Sequence, residues 1–298
     1  MLIKFYLANK IFKCSLKKFS MKKEKNIPVE GIYDNRNKLN DLTGKEWLKL
    51  TSSFWNTEKC ADDKIAMNHP APFLIKDTEK LIKLFTKKDM TILDPFCGSG
   101  TSILAALNMS RKAIGLDLNI DYKKLAIERL RKKNKKEVDD FKYLIGDSRL
   151  LLKKLKPDSV QYVVTSPPYH NILKNKTQGT RTDKTEKGFR HGGRVGVNYY
   201  SENHNDLGNC ETYNEFIKKL SKIMKEVYRV LEVKKYCTIV ISDFTVDKKE
   251  INVQGDICNM MISSGFEFSG NIVLLQPNKP LYPFGYPYAY KINHHHQS

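Results

Sequence analysis

Short apolar runs alternate with segments of helical periodicity from Thr91 to about residue 276. The apolar runs are rich in β-branched residues, which predicts strands. The predicted strands are 91–94, 113–117, 143–147, 160–166, 236–243 and 268–276, and the predicted helices are 101–110, 121–136, 212–232 and 256–265. Alternating strands and helices are typical of a mostly parallel sheet covered by helices on both faces, so we predict an α/β fold.

Composition and charge limit the classes of protein that this chain can belong to. The net charge of +19 fits a polyanionic partner, although a Lys-rich solvated surface would give the same number. No apolar run approaches the roughly 20 residues that span a bilayer, so no membrane partner is expected. The six cysteines include no C-x-x-C pair, which argues against a zinc knuckle and favours a reducing, cytoplasmic setting.

Four of the predicted strands end in a residue with polar chemistry. These residues are Asp94, Asp117, Asp147 and Ser166. Parallel sheets bind ligands at the carboxyl ends of their strands, so we expect all four on one rim.

The segment "LDPFCGSGTS" (93–102) places an acid, a turn with two glycines and a helix start in succession. It is not a Walker loop, and the third position of a dinucleotide fingerprint is Ile103. An acid at Asp117 can accept hydrogen bonds from both hydroxyls of a ribose. This combination favours a nucleoside without a pyrophosphate, which S-adenosylmethionine satisfies. Taken singly, each feature is equally explained by ordinary helix capping.

"DPFCGSGT" followed by "TSPPY" (165–169) resembles the DNA amino-methyltransferases, which methylate exocyclic nitrogens. "NHPAPFL" (68–74) and "DLTGKEWLKLTSSFW" (41–55) resemble further parts of that family, and the resemblance covers roughly residues 40 to 292. It implies a Rossmann-like methyltransferase fold with a mostly parallel, seven-strand-type sheet. Cofactor contacts are expected from Asp94, Pro95, Phe96, Gly98, Ser99, Gly100, Thr101, Asp117 and Asp147, and from His69 and Pro70.

The corner "SPPY" suits the chemistry that this resemblance implies. An aromatic amino nitrogen is a poor nucleophile until acceptors on its N–H bonds localise the lone pair. The family implies that the Ser166 hydroxyl and the Pro167 carbonyl are those acceptors, while the rigid Pro167–Pro168 pair supplies no competing donor. Tyr169 is expected to stack on the base, which must be flipped out of the duplex. No metal is needed for this transfer.

Alternatives to this chemistry remain open to different degrees. Methylation of cytosine at carbon 5 needs a nucleophilic cysteine after a proline, and none of the cysteines follows one, so Cys97 is expected to be a wall residue. Ser166 favours N4 of cytosine by resemblance, with N6 of adenine as the alternative. An RNA or protein substrate, or a catalytically inactive DNA-binding protein, is also left open.

Residues from about 170 to 210 have no apolar periodicity and are predicted to form the target-recognition loop. The candidate DNA contacts are Lys174, Lys176, Arg181, Arg190 and Arg194. A solvated loop is the alternative. No separate recognition domain is visible, so we expect a short site in double-stranded DNA and a cognate restriction endonuclease that acts on the same site.

The two ends of the chain carry separate expectations. A second methionine, Met21, indicates that residues 1–25 form an extension, of which 1–20 are dispensable or an artefact of the assigned start. Residues 26–298 are then a single methyltransferase domain. In the family that this chain resembles, a last hydrophobic strand normally follows the segment at 282–296. The sequence leaves open whether that strand is missing here, which would leave an open sheet edge.

Overall fold

The computed structural model describes residues 2–8, 31–66, 73–133, 141–170, 200–242, 244–246 and 249–275. The strands in these ranges are β1 (Leu2–Ala8), β2 (Phe54–Asn56), β3 (Thr91–Asp94), β4 (Lys112–Asp117), β5 (Phe141–Ile145), β6 (Val160–Thr165), β7 (Leu231–Ser242), β8 (Phe244–Val246), β9 (Lys249–Ile251) and β10 (Glu267–Leu275). The helices are α1 (Gly44–Leu50), α2 (Asp63–Ala66), α3 (Ile75–Phe85), α4 (Thr101–Asn108), α5 (Ile120–Lys132), α6 (Ser148–Leu151), α7 (Tyr213–Val230) and α8 (Val253–Ser263).

The main sheet has the strand order β2-β10-β1-β7-β6-β3-β4-β5. Its half from β7 to β5 is entirely parallel. The carboxyl ends of β3, β4, β5 and β6 therefore meet at one rim, as the sequence predicted. Strands β8 and β9 form a separate antiparallel pair.

Apolar residues of the central strands alternate between the two faces of the sheet, because successive side chains in a strand point in opposite directions. In β6, Val163 packs into one apolar core while Tyr162 and Val164 pack into the other. The first core is closed mainly by α7 and α8, and the second by α3, α4 and α5. The predicted α/β fold with helices on both faces is confirmed.

Helix α7 begins where the sequence predicted it, with Thr212 as its N-cap. The Thr212 side chain accepts a hydrogen bond from the Glu215 N–H at 3.1 Å. The Glu215 carboxylate accepts a hydrogen bond from the backbone N–H of Glu211 rather than from that of Thr212. Both bonds satisfy backbone donors near the helix start, which stabilises this end.

The first strand lies inside the range that was predicted to be an extension. Strand β1 pairs antiparallel with β7 on one side and with β10 on the other. Residues 2–8 therefore take part in the main sheet, while the division of the chain into an extension and a domain stays a prediction. Strand β1 thus occupies the position between β7 and β10 in the main sheet.

Candidate active site

Asp94, the last residue of β3, is turned into the protein and is only 3% exposed. Its carboxylate accepts hydrogen bonds from the hydroxyls of Ser102 and Thr165, both at 2.6 Å, and from the Phe96 N–H at 3.0 Å. Burial raises the pKa of Asp94 to about 6. Because Thr165 immediately precedes Ser166, this carboxylate joins the turn after β3 to the predicted catalytic corner.

The glycines of the turn after β3 allow a left-handed backbone and close contact with neighbouring elements. Gly98 and Gly100 have positive φ angles of 51° and 75°, which favour glycine. A Cβ on Gly100 would lie 2.6 Å from the Cβ of Ala126 in α5, so the helix packs directly on this turn. The Gly98 N–H donates to Asp117 Oδ2 at 2.8 Å, which connects the turn to the end of β4.

Asp117 ends β4 with its carboxylate on the pocket wall. It accepts backbone N–H bonds from Asn119 and Gly98, both at 2.8 Å. Burial nevertheless raises the pKa of Asp117 to about 7, and the neighbouring charges of Asp94 and Asp206 act in the same direction. A carboxylate held in this way still has lone pairs for the two hydroxyls of a ribose.

Asp147 caps the start of α6 and is paired with Arg149. The Arg149 Nε donates to both carboxylate oxygens at 3.0 Å, and Nη2 makes a further close contact. Although burial raises it, these hydrogen bonds lower the pKa of Asp147 below its usual value. Arg149 Nη2 also donates to Asn205 Oδ1 at 2.8 Å. Asp147, a predicted cofactor contact, is thus paired with an arginine, which the sequence did not indicate.

The predicted catalytic corner follows β6 directly. Ser166 is half-buried and Pro167 is buried. Ser166, Pro167 and Pro168 line the same pocket as Asp117 and Asp147. Tyr169 does not line it: its ring packs against the core beneath α7, and its hydroxyl accepts a hydrogen bond from Ser242 at 3.3 Å.

The pocket at this rim has about 650 Å³ of empty space, part of it open to solvent. Among the predicted site residues, those that line it are Pro95, Phe96, Asp117, Asp147, Ser166, Pro167 and Pro168. Asp94, Gly98, Ser99, Gly100 and Thr101 lie behind this wall and shape the turn. His69, Pro70 and the five predicted DNA-contacting cations lie outside the described residues.

One part of the pocket wall was not predicted. It consists of Asn119, Tyr122, Tyr200, Asn205 and Asp206. The last three belong to the segment 200–210, which the sequence assigned to the target-recognition loop. Asn119 Nδ2 donates to the Tyr200 carbonyl at 3.0 Å, so this segment is fastened to the loop after β4.

The only sequence signal for this second wall was weak. Tyr200 is 8% exposed and Asp206 is 3% exposed. Asp206 also caps the short 3₁₀ turn Leu207–Asn209. In the sequence, the signal for this ordered segment is an aromatic residue, Tyr200, followed by an Asx cap, Asp206, shortly before a helix.

The described residues contain no group of three or more His, Cys, Asp or Glu side chains that could hold a metal ion. Cys97 is buried against Gly115, where a Cβ would lie 2.4 Å from its sulfur. Burial raises the pKa of the Cys97 thiol well above its usual value. Cys97 packs behind the pocket and is not among the residues that line it. No helix in the described ranges is long and apolar enough to cross a membrane.

The pocket residues fit S-adenosylmethionine. Asp117 offers paired acceptors for ribose hydroxyls, and the carboxylates of Asp117 and Asp206 suit a sulfonium cation. The α/β fold and the lining of this pocket are compatible with S-adenosylmethionine as the cofactor. The sequence profile of the N6/N4 DNA methylase family matches residues 4–128 and 160–293, and the chain belongs to this family.

Individual relatives match shorter regions. The type II methyltransferase M.BglI of Bacillus subtilis is 36% identical over 99 residues, which are 33% of this chain and 27% of that protein. A probable tRNA (guanine(10)-N2)-dimethyltransferase of Methanothermococcus thermolithotrophicus is 35% identical over 85 residues, which are 28% of this chain and 52% of that protein. The matched region thus covers about a quarter to a half of these relatives' length.

A solved structure shows a distant likeness. The S-adenosylmethionine-dependent methyltransferase of Aquifex aeolicus is 17% identical, with a TM-score of 0.41. The likeness covers 70% of this chain and 89% of that one.

Proposed function

We propose that this protein is a site-specific DNA methyltransferase. It transfers the methyl group of S-adenosylmethionine to the exocyclic N4 of cytosine in a short duplex site. The observation that carries the proposal is the position of Ser166, Pro167 and Pro168 on the same pocket wall as Asp117. The proposal is supported because the candidate acceptors for an amino group and the candidate cofactor site belong to one pocket.

The chain's own contribution to the reaction is orientation and charge. Bound S-adenosylmethionine supplies an electrophilic methyl group. The Ser166 hydroxyl and the Pro167 carbonyl accept hydrogen bonds from the two N–H groups of the target amine. The nitrogen lone pair then points away from these acceptors. The hydrogen bond from Thr165 to the Asp94 carboxylate fixes the backbone just before Ser166. The acceptors are therefore preorganised and need little rearrangement.

The target base is proposed from the character of this acceptor. Ser166 is a neutral hydroxyl, which by the family resemblance favours N4 of cytosine. A neutral acceptor also suits N6 of adenine, which is the alternative target. In either case the base must leave the duplex to reach the pocket, so we propose base flipping.

A second candidate substrate is RNA, favoured by one observation. The chain matches part of a probable tRNA dimethyltransferase, as well as DNA methyltransferases. The net charge of +19 suits either polyanion. We favour DNA because the family profile covers most of the chain. We also propose a cytoplasmic location and a cognate restriction endonuclease, because a type II methyltransferase is among the relatives.

The acceptor is identified by label transfer. The protein is incubated with methyl-labelled S-adenosylmethionine and either unmodified duplex DNA or unmodified tRNA, and each product is digested to nucleosides. We expect label in N4-methylcytosine from DNA and none in tRNA. Label in N6-methyladenine would change the proposed target base to adenine but keep the SPPY corner as the site of transfer. Label only in tRNA would contradict the DNA proposal.

A further inference from the structure

Arg129 lies in the last turn of α5, beneath the turn that follows β3. Its side chain is buried, with 3% of the residue exposed. Its Nη1 donates to the Ser99 carbonyl at 2.6 Å, to the Ser99 hydroxyl at 3.2 Å and to the Thr101 hydroxyl at 2.9 Å. These acceptors lie on both sides of Gly100, so one nitrogen holds the backbone around the left-handed residue.

The same face of α5 touches the turn at a second point. Ala126 lies three positions before Arg129 and therefore on the same side of the helix. Its Cβ is 2.6 Å from where a Cβ of Gly100 would be. The turn is thus packed against the helix at Ala126 and hydrogen-bonded to it at Arg129.

Burying this cation is unfavourable for stability alone. Burial lowers the pKa of Arg129, while the charge of Asp63 opposes that shift. Within the part of the chain that the structure describes, Nε and Nη2 have no hydrogen-bond partner. A buried donor without a partner costs free energy, and an apolar side chain of similar length would avoid that cost. The residue therefore fits a functional requirement better than a purely structural one.

The position of the turn in the sheet indicates what that requirement is. Strand β3 lies between β6, which leads to Ser166, and β4, which ends at Asp117. A cofactor with its nucleoside at Asp117 and its methyl group at Ser166 must pass over the β3 turn. The portion that passes over it is the sulfonium with its amino-acid chain.

We propose that Arg129 is a positioning residue that holds the β3–α4 turn in the shape that receives the methionine portion of S-adenosylmethionine. The guanidinium does this from behind the turn, without touching the cofactor. Its Nη1 alone reaches both acceptor residues, Ser99 and Thr101. This inference rests on the proposed cofactor site at Asp117 and Ser166.

Two ligands separate positioning from general damage. S-adenosylhomocysteine carries the amino-acid portion, and 5′-methylthioadenosine lacks it. We expect Arg129→Met to weaken S-adenosylhomocysteine binding roughly tenfold or more, because hydrogen bonds from a charged group are lost. Binding of 5′-methylthioadenosine should change by less than about threefold. Arg129→Lys should recover part of the loss. Calorimetric titration of the full-length wild type, Arg129→Met and Arg129→Lys with each ligand measures these affinities.

Two controls make the outcome decisive. Arg131→Met removes an exposed arginine from the same turn of α5 and should leave both affinities unchanged. Asp117→Asn should weaken both ligands, since both contain the ribose. Equal loss of both ligands in Arg129→Met, or no loss of S-adenosylhomocysteine, overturns the proposal for Arg129. Unchanged affinities in Asp117→Asn would instead overturn the cofactor site on which it rests.

Discussion

Asp117 faces two requirements that conflict at neutral pH. Its carboxylate must be available to hydroxyl groups of a ligand, yet burial raises its pKa to about 7. Asp94, which is fully enclosed by Ser102, Thr165 and Phe96, has a pKa raised to about 6 for the same reason. The rim therefore holds carboxylates whose ionisation is unfavourable in the folded protein. This lowers the stability of the fold, but it keeps acceptors in place for the cofactor.

Asp117→Asn should remove the loss of stability that accompanies ionisation of this carboxyl. A carboxyl whose folded-state pKa is raised binds its proton more tightly in the folded protein, so stability falls as pH rises from about 4 through 7. The variant lacks that loss. Its melting temperature relative to the wild type should therefore increase between pH 5 and pH 8, by a few degrees as an order of magnitude. Thermal unfolding across this pH range, without cofactor, measures the difference.

The matched control is Asp121→Asn, which makes the same substitution on the exposed first turn of α5. Its melting-temperature difference from the wild type should not follow the same trend. A difference between Asp117→Asn and wild type that stays constant from pH 5 to pH 8 would show that the buried carboxyl does not titrate in this range.

At the scale of elements, β1 is the main departure from the sequence prediction. Its run of apolar residues has strand character, but the basic segment that follows, together with Met21, favoured an extension. Local patterns cannot reveal that residues 2–8 pair with partners more than 200 positions away. The strand fills a central position, and without it both β7 and β10 would present unpaired backbone groups.

Deleting residues 1–20 should therefore destabilise the protein. We expect a melting temperature lower by about 5 °C or more and an increased tendency to aggregate, since two strand edges become exposed. A sharper variant is Lys4→Pro, which removes one backbone donor and is unfavourable in the middle of a sheet. Differential scanning calorimetry of both proteins tests the pairing.

Lys4→Thr is the control for that substitution, because threonine keeps the backbone donor and favours strands. It should melt close to the wild type. If the truncated chain and Lys4→Pro both match the wild type, residues 2–8 do not contribute a strand to the folded protein.

At the scale of the whole molecule, the parallel half of the sheet was predictable because each of its strands is a short apolar run that ends in a polar residue. Asp94, Asp117 and Ser166 were therefore placed on one rim before the structure was known. The roles of Arg149 and Arg129 were not predictable. Arg149 donates hydrogen bonds to both Asp147 and Asn205, and Asn205 lies 56 positions further along the chain than Arg149. Such partners meet only when the sheet is complete.

The structure of the segment 200–210 also could not be predicted from local sequence. Its polar composition favoured a loop that contacts DNA, whereas Tyr200 and Asp206 are buried in the cofactor pocket wall. Composition predicts exposure on average, but a few caps and one aromatic ring can order a polar segment. The proposed DNA contacts from Lys174 to Arg194 stay predictions.

The central claim is that the Ser166 corner performs methyl transfer to DNA beside a cofactor held at Asp117. Single-turnover transfer of label to duplex DNA, at saturating S-adenosylmethionine, tests it most directly when the wild type is compared with Ser166→Ala. We predict N4-methylcytosine as the labelled nucleoside and a loss of rate of roughly 10²-fold in the variant, with S-adenosylhomocysteine affinity unchanged. An unchanged rate in Ser166→Ala would contradict the assignment of this corner as the site of chemistry.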